Sequence, residues 1–512
     1  VNDITGDKAI GNDITGNEAS ASKTVRSEAL ETETSLPNFR QGDAIILYER
    51  NRDTDNVTNK MVFKGNIEYL TENEISIRLR ATQQNPSVLP AESLYAIEHD
   101  TMDTTFRSMY QGLYIYLSAR KERRDLLLSQ RPPRFDESLD SMISRSEDDF
   151  TRIALKAKAA QDYFLLIGPP GTGKTSCALK KMVETFHADK DAQILLLSYT
   201  NRAVDEICKS LASIAPAVDF IRVGSELSCD EAYRGHLIEN ELSSCNRRSE
   251  VYERIRNCRI IVGTVAAISG KPELFRLKHF DVAIIDEATQ ILEPQLLGIL
   301  CARGEDGKDA IDKFVLIGDH KQLPAVVQQN TEQSAIYDES LLSIGLTNLK
   351  DSLFERLYRN CTATVHRSYD MLCRQGRMHP EVALFANRAF YGGRLIPVGL
   401  PHQIESSDTI CRLAFYPSVP EKAGASAKIN YSEARIVADL AARIYEDHQT
   451  DFDESRTLGI ITPYRSQIAL IKKEIESLGI PALNRILVDT VERFQGSERD
   501  VIIYSFCVNY PY

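Results

Sequence analysis

The chain has 512 residues, 43% of them hydrophobic, and a formal net charge of −12. That is ample apolar material for several cores, yet no run approaches the ~18 apolar residues of a membrane span and no basic-then-apolar signal opens the chain, so the expected compartment is cytoplasmic with no membrane partner. Ten cysteines scattered singly argue against a disulfide framework or a structural zinc, and the acidic balance argues against a protein that coats nucleic acid nonspecifically.

Residues 1–36 hold a near-duplicate unit, Asn2-Asp-Ile-Thr-Gly6 and Asn12-Asp-Ile-Thr-Gly16, with seven acidic against three basic residues. Such a composition predicts a disordered acidic tail. From Phe39 short apolar runs follow at 44–48 and 61–67, and then Ile75, Ile77 and Leu79 alternate with Glu74, Ser76, Arg78 and Arg80. A period of two marks half-buried strands, so 37–102 reads as a small β-barrel. Phe106, Tyr110, Leu113 and Leu117 recur at helical spacing ahead of Arg120-Lys-Glu-Arg-Arg124 and Arg131-Pro-Pro-Arg134. Residues 103–143 therefore read as a helical stalk, one long helix ending at prolines, whose basic stretch is a solvated face before it is a nucleic-acid contact.

Beyond Ser144 apolar strands alternate with amphipathic helices: 163–167, 194–198, 259–263, 281–285 and 314–317. This alternation predicts a parallel sheet flanked by helices, assigned to 144–350, and a second set with strands at 457–461, 485–489 and 500–506 is assigned to 351–512. Between the first strand and its helix stands Gly168-Pro169-Pro170-Gly171-Thr172-Gly173-Lys174-Thr175, with Ser176 next. Glycines let backbone N–H groups close around phosphates, Lys174 supplies a point charge for the β and γ phosphates, and the Thr175 hydroxyl suits Mg²⁺. A nucleoside triphosphate is therefore the expected ligand.

The strand at 281–285 runs into Asp286-Glu287. Asp286 suits Mg²⁺, a hard cation that takes oxygen ligands, and Glu287 suits orienting or deprotonating an attacking water, which points to hydrolysis rather than transfer. The strand at 314–317 ends in Gly318-Asp-His-Lys-Gln322-Leu-Pro324, and Gln322 is placed to report loss of the γ-phosphate.

At this point the order of residues resembles the superfamily 1 helicases, and more narrowly their Upf-like branch. Asp286-Glu-Ala-Thr-Gln290 and the Gln322 loop look like the second and third motifs. Ser198-Tyr-Thr-Asn-Arg-Ala-Val-Asp205 and Val262-Gly-Thr264 look like the strand-gripping motifs, and Arg374-Gln-Gly-Arg-Met-His-Pro380 is similar to the branch's Gln-Tyr-Arg-Met-His-Pro element. Thr462-Pro-Tyr-Arg-Ser-Gln467 and the segment 488–500 resemble later motifs. The resemblance implies ATP bound with Mg²⁺ between two RecA-like domains, single-stranded nucleic acid as partner, and 5′ to 3′ movement. It further implies that Arg377 reaches the γ-phosphate from the second domain, that Thr200, Asn201, Thr264 and Thr490 contact the strand, and that Glu498 couples strand to nucleotide. The barrel and stalk match accessory elements of the same branch.

The chain departs from that pattern in three places. The adenine-reading Gln before the phosphate loop has no counterpart around Asp149-Phe-Thr-Arg152, and Gly376 replaces a Tyr. The final arginine-rich motif should follow the last strand, but 12 residues lie beyond Asp500, so the second domain reads as incomplete at its C-terminus and hydrolysis by this chain is expected to be poor unless Arg465 substitutes. The expected fold is α/β, two RecA-like P-loop domains with parallel sheets preceded by barrel and stalk. The expected function is an ATP-dependent helicase, and the alternative is an ATP-gated nucleic-acid-binding switch that unwinds nothing; DNA against RNA, and any protein partners, stay open.

Overall fold

In the computed structural model the described residues are 2–4, 22–26, 39, 42–71, 74–81, 85–100, 104–327, 329–364, 366–404, 412–419, 428–507 and 509. They divide into two compact units, 103–414 and the pair of segments 1–102 with 415–512.

In the second of these units, strands β1 (Asn2–Ile4), β2 (Ser22–Arg26), β3 (Ala44–Glu49), β4 (Val62–Leu70), β5 (Glu74–Leu79) and β6 (Tyr95–His99) form an antiparallel sheet in the order β1-β6-β3-β4-β5-β2. Ile45, Ile67, Ile75, Ile77 and Ile97 fill its buried face, as the alternation requires. Among the described residues no pairing joins the edge strands β1 and β2 into a closed barrel. Both edge strands lie within 1–36, where a disordered tail was expected. Backbone pairing with a sheet edge needs no apolar side chain, so composition does not register it; the rest of that segment lies outside the described residues.

The unit 103–414 is built on a parallel sheet. The strands β7 (Tyr163–Ile167), β8 (Ile194–Ser198), β9 (Phe220–Val223), β10 (Ile260–Thr264), β11 (Phe280–Ile285), β12 (Ile311–Gly318) and β13 (Tyr369–Met371) stand in the order β13-β7-β12-β11-β8-β10-β9. Continuous apolar runs suit strands covered on both faces: Tyr163, Leu165 and Ile167 pack into one core, Phe164 and Leu166 into the other. The compact unit runs on past residue 350. The helix Leu353–Ala363 adds Leu353, Phe354, Leu357 and Cys361 to the first core, and β13 pairs with β7, so this unit continues to 414. A short parallel pair, β14 (Arg374–Gln375) and β15 (Ile396–Pro397), follows within it.

The stalk is two helices, Thr104–Leu117 and Lys121–Leu127, rather than one. The break falls at Ala119, which is buried in the core, and the glycines decide the packing: a Cβ on Gly112 would lie 2.3 Å from the Pro294 carbonyl oxygen of the helix Glu293–Leu300, and one on Gly298 3.0 Å from the Gly112 Cα. Phe106, Tyr110, Leu113 and Leu117 face outward. The basic stretch does structural work as well as facing solvent, since Arg123 is buried and donates to the Ile311 and Asp312 carbonyls at 2.5 and 3.2 Å.

Arg131 and Arg134 close on the buried Asp162 just before β7, with four guanidinium bonds of 2.8–3.1 Å and a fifth from the Arg134 backbone N–H at 2.6 Å. Burial raises the Asp162 pKa, but these arginine bonds outweigh it and hold the carboxyl well below the usual range. A depressed folded pKa gives stability that is complete above the unfolded value of about 3.9 and is lost as pH falls through the folded value. Asp162→Asn should thus cost about 2 kcal/mol at neutral pH. In melting curves the gap to wild type should narrow below about pH 4; a constant gap would show that the ionised carboxylate is not the stabilising species.

The remaining strands, β16 (Leu458–Ile461), β17 (Leu487–Asp489) and β18 (Val501–Tyr504), form a parallel sheet in the order β17-β16-β18. The helices Tyr431–Asp447 and Arg465–Ser477 bury Val437, Ala441, Ile471 and Ile475 in its core. The α/β class with parallel sheets is as the alternation predicted.

Candidate nucleotide site

Parallel strands place their C-terminal ends along one edge of the sheet, which is where ligands of such folds bind. At that edge β7 delivers 168–175, β11 delivers Asp286 and Glu287, and β12 delivers Asp319 and Gln322.

The phosphate loop needs its glycines. Gly171 and Gly173 have φ of +73° and +76°, and a Cβ on Gly171 would lie 2.5 Å from the Arg377 Cβ. Thr172 closes the loop by donating from its hydroxyl to the Pro169 carbonyl at 2.7 Å. The helix that follows starts as a π turn over Lys174–Leu179, with the Cys177 and Ala178 N–H groups both bonded to the Gly173 carbonyl at 3.1 and 2.9 Å. Ser176 is exposed in this turn, and Pro170 at the loop is half-buried.

Charge is concentrated beside the loop. Lys174 Nζ lies 3.0 Å from Glu287 Oε1. Burial works against the Lys174 charge, but Glu287 and Asp286 overcome it and hold its pKa above the ordinary value. Asp286 is buried, accepts the Thr175 hydroxyl at 2.5 Å and the Glu287 N–H at 2.9 Å, and is pushed up by burial and by the Glu287 charge. A carboxylate that is costly to ionise and already touches Thr175 is the donor set a divalent cation would relieve, so the residues fit Mg²⁺. Glu287 sits at φ +52°, a left-handed conformation uncommon outside glycine and costing of order 1–3 kcal/mol. It accepts from Gln290 Nε2 at 2.9 Å.

Asp319 receives Gln322 Nε2 at 2.7 Å. Arg377 belongs to the same compact unit as the phosphate loop, and its segment docks there through the Gly376 N–H, which donates to the Gly171 carbonyl at 2.8 Å. The buried Gln375 shapes this segment, accepting the Arg377 and Met378 N–H groups at 3.1 and 2.8 Å and donating to the Met378 carbonyl at 2.7 Å.

The expected strand contacts divide between units. Thr200 and Thr264 follow β8 and end β10, adjacent parallel strands, and each caps a helix, accepting the Ala203 and Ala267 N–H groups at 3.2 and 3.1 Å. Asn201 opens the first of those helices; Thr264 is buried. Thr490, at the start of the short helix Val491–Phe494, Glu498 and Arg465 belong to the other unit.

Sequence reasoning assigned no role to Gln290, Asp319 or Gln375, although all lie inside recognised segments. The three-residue spacings from Glu287 to Gln290 and from Asp319 to Gln322 were the local signals available. The cluster His279, Asp281 and Asp312, whose ligand atoms lie within 4.8 Å of one another, is at the opposite strand ends and takes no part. Among the described residues no helix is long and apolar enough to cross a membrane.

Two family models, each described as an AAA domain, match the chain: one over residues 145–251 and 238–330, the other over 349–509. The chain is 28% identical over 524 residues to the DNA replication ATP-dependent helicase/nuclease JHS1 of Arabidopsis thaliana, covering 94% of this chain and 36% of that protein. It is 27% identical over 528 residues to the DNA replication ATP-dependent helicase/nuclease DNA2 of Homo sapiens, covering 92% and 44%. It is 23% identical over 486 residues to the DNA polymerase alpha-associated DNA helicase A of Saccharomyces cerevisiae, covering 80% and 67%. The chain thus spans less than half the length of the two helicase/nucleases.

Proposed function

The chain has the core of a superfamily 1 helicase of the Upf-like branch, and from that premise we propose that it hydrolyses ATP to move 5′ to 3′ along a single strand. The observation that carries the reading is the Lys174–Glu287 ion pair beside Asp286 and Thr175. It holds the acid for water activation against the cation for phosphate binding.

Arrival of the triphosphate gives Lys174 a stronger anionic partner. Glu287 is then released from Lys174, and Gln290 keeps its carboxylate aimed so that it can take the proton of the attacking water. Thr175 and Asp286 would hold Mg²⁺, which supplies neutralisation of charge on the β and γ phosphate oxygens. The backbone N–H groups of 168–176 cradle the phosphates, Gln322 reads the γ-phosphate, and Arg377 offsets charge developing on it. Glu498 takes the coupling role and Thr200, Asn201, Thr264 and Thr490 the strand contacts.

The names of the relatives speak for DNA as the strand, and the scattered cysteines suit a reducing compartment such as the cytoplasm. The deciding experiment is ATP turnover with and without single-stranded DNA or RNA, alongside displacement of a labelled complementary strand. Strand-stimulated turnover without displacement would select the switch reading instead.

Phosphate contacts should dominate strand affinity, so it should vary little with sequence and fall steeply with salt. Several such contacts cost about 10³-fold between 50 and 200 mM salt. A flat dependence over that range would remove the strand from the proposal.

A further inference from the structure

Asp319 follows β12 in a buried position, and its Oδ2 is shared: Gln322 Nε2 donates to it at 2.7 Å, and so does the Tyr391 hydroxyl, also at 2.7 Å. Tyr391 is buried and is the last residue of the helix Pro380–Tyr391, which begins three residues after Arg377 and stops at Gly392, a left-handed residue at φ +61°. The arginine-bearing segment is therefore held at both ends. Gly376 N–H fixes its start to the phosphate loop, and the Tyr391 hydroxyl fixes its far end to the carboxylate that also holds Gln322.

We propose that Tyr391 is a positioning residue that ties the Gln322 loop to the Arg377 segment, so that a change at the γ-phosphate sensed by Gln322 reaches the arginine through Asp319. This deepens the proposed ATPase reading and rests on it. The hydroxyl acts through the Asp319 carboxylate, to which it donates. Burial, with the Asp319 bond and charge adding to it, raises the Tyr391 pKa, so the phenol stays protonated and donating across the working pH range. When Gln322 turns toward a phosphate oxygen, Asp319 keeps Tyr391 as its remaining side-chain donor, and the two limbs trade strength at one oxygen.

Tyr391→Phe deletes the hydroxyl and keeps the ring. It should lower strand-stimulated kcat about tenfold or more, since small misplacement of a reacting group costs up to about 10²-fold, with KM for ATP within about twofold of wild type. Combined with Arg377→Ala it should cause no further loss, because both act on one step. Hydrogen exchange should rise in 374–391 and stay unchanged in 163–175. Asp319→Asn, with one acceptor oxygen where the carboxylate has two, should show the same selective exchange and the same kcat loss, and it decides the matter if the Phe variant does not fold. Wild-type kcat in the variant that folds, multiplicative loss with Arg377→Ala, or exchange rising equally in both segments would overturn the proposal. Absence of ATPase in the unmutated chain would instead defeat the functional reading, and the exchange measurement would still decide the role of Tyr391.

Discussion

Lys174→Ala should abolish tight ATP binding and reduce turnover to background. In the proposed function Lys174 supplies the charge for the β and γ phosphates, and its Nζ lies 3.0 Å from Glu287 in a nearly enclosed site. Removing it does two things at once. The phosphates lose a charge-assisted partner, and Asp286 and Glu287 are left as an acid pair with no cation between them, in a place where burial already pushes the Asp286 pKa up. Like charges at close range repel the incoming triphosphate as well as each other. Titration with a fluorescent ATP analogue in the presence of Mg²⁺ measures this directly, with a melting curve to establish that the variant is folded. Analogue affinity within threefold of wild type would remove Lys174 from phosphate recognition.

Glu287→Gln should behave differently. The side chain keeps its length, and removing the negative charge frees Lys174 for the phosphates, so ATP should bind at least as tightly as to wild type. Turnover should nevertheless fall on the order of 10²-fold or more, the usual worth of a positioned general base. The left-handed backbone at Glu287, φ +52°, sets where the carboxylate points, and the Gln290 amide holds it. The decisive pair of measurements is single-turnover hydrolysis and nucleotide affinity on the same preparation. Normal turnover would show that another group handles the water proton, whereas lost affinity would mean that the Glu287 charge serves binding.

Much of this site was legible because its chemistry is local in sequence. Gly171, Gly173, Lys174 and Thr175 act within one loop, and Asp286 and Glu287 follow a strand whose apolar run announces burial. The parts that escaped join distant residues. Tyr391 meets Asp319 across 72 positions, and Lys174 meets Glu287 across 113 (287 − 174). The same limit applies to β13, a three-residue strand with no periodicity to detect, which only its pairing with β7 assigns to the first sheet. It also explains Arg123, which reads as one more cation in a solvated run until its bonds to the Ile311 and Asp312 carbonyls are seen.

The sequence by itself determined the α/β class, the phosphate loop and the acid pair, because strand burial and phosphate chemistry are written in short spacings that any fold must respect. Only the tertiary structure decided that Glu287 rests against Lys174 and that Tyr391 shares the Asp319 carboxylate with Gln322. Those bonds depend on which strand ends lie side by side at one edge of the sheet, and strand order, here β13-β7-β12-β11-β8-β10-β9, is set by packing among segments far apart in the chain rather than by any local pattern within it.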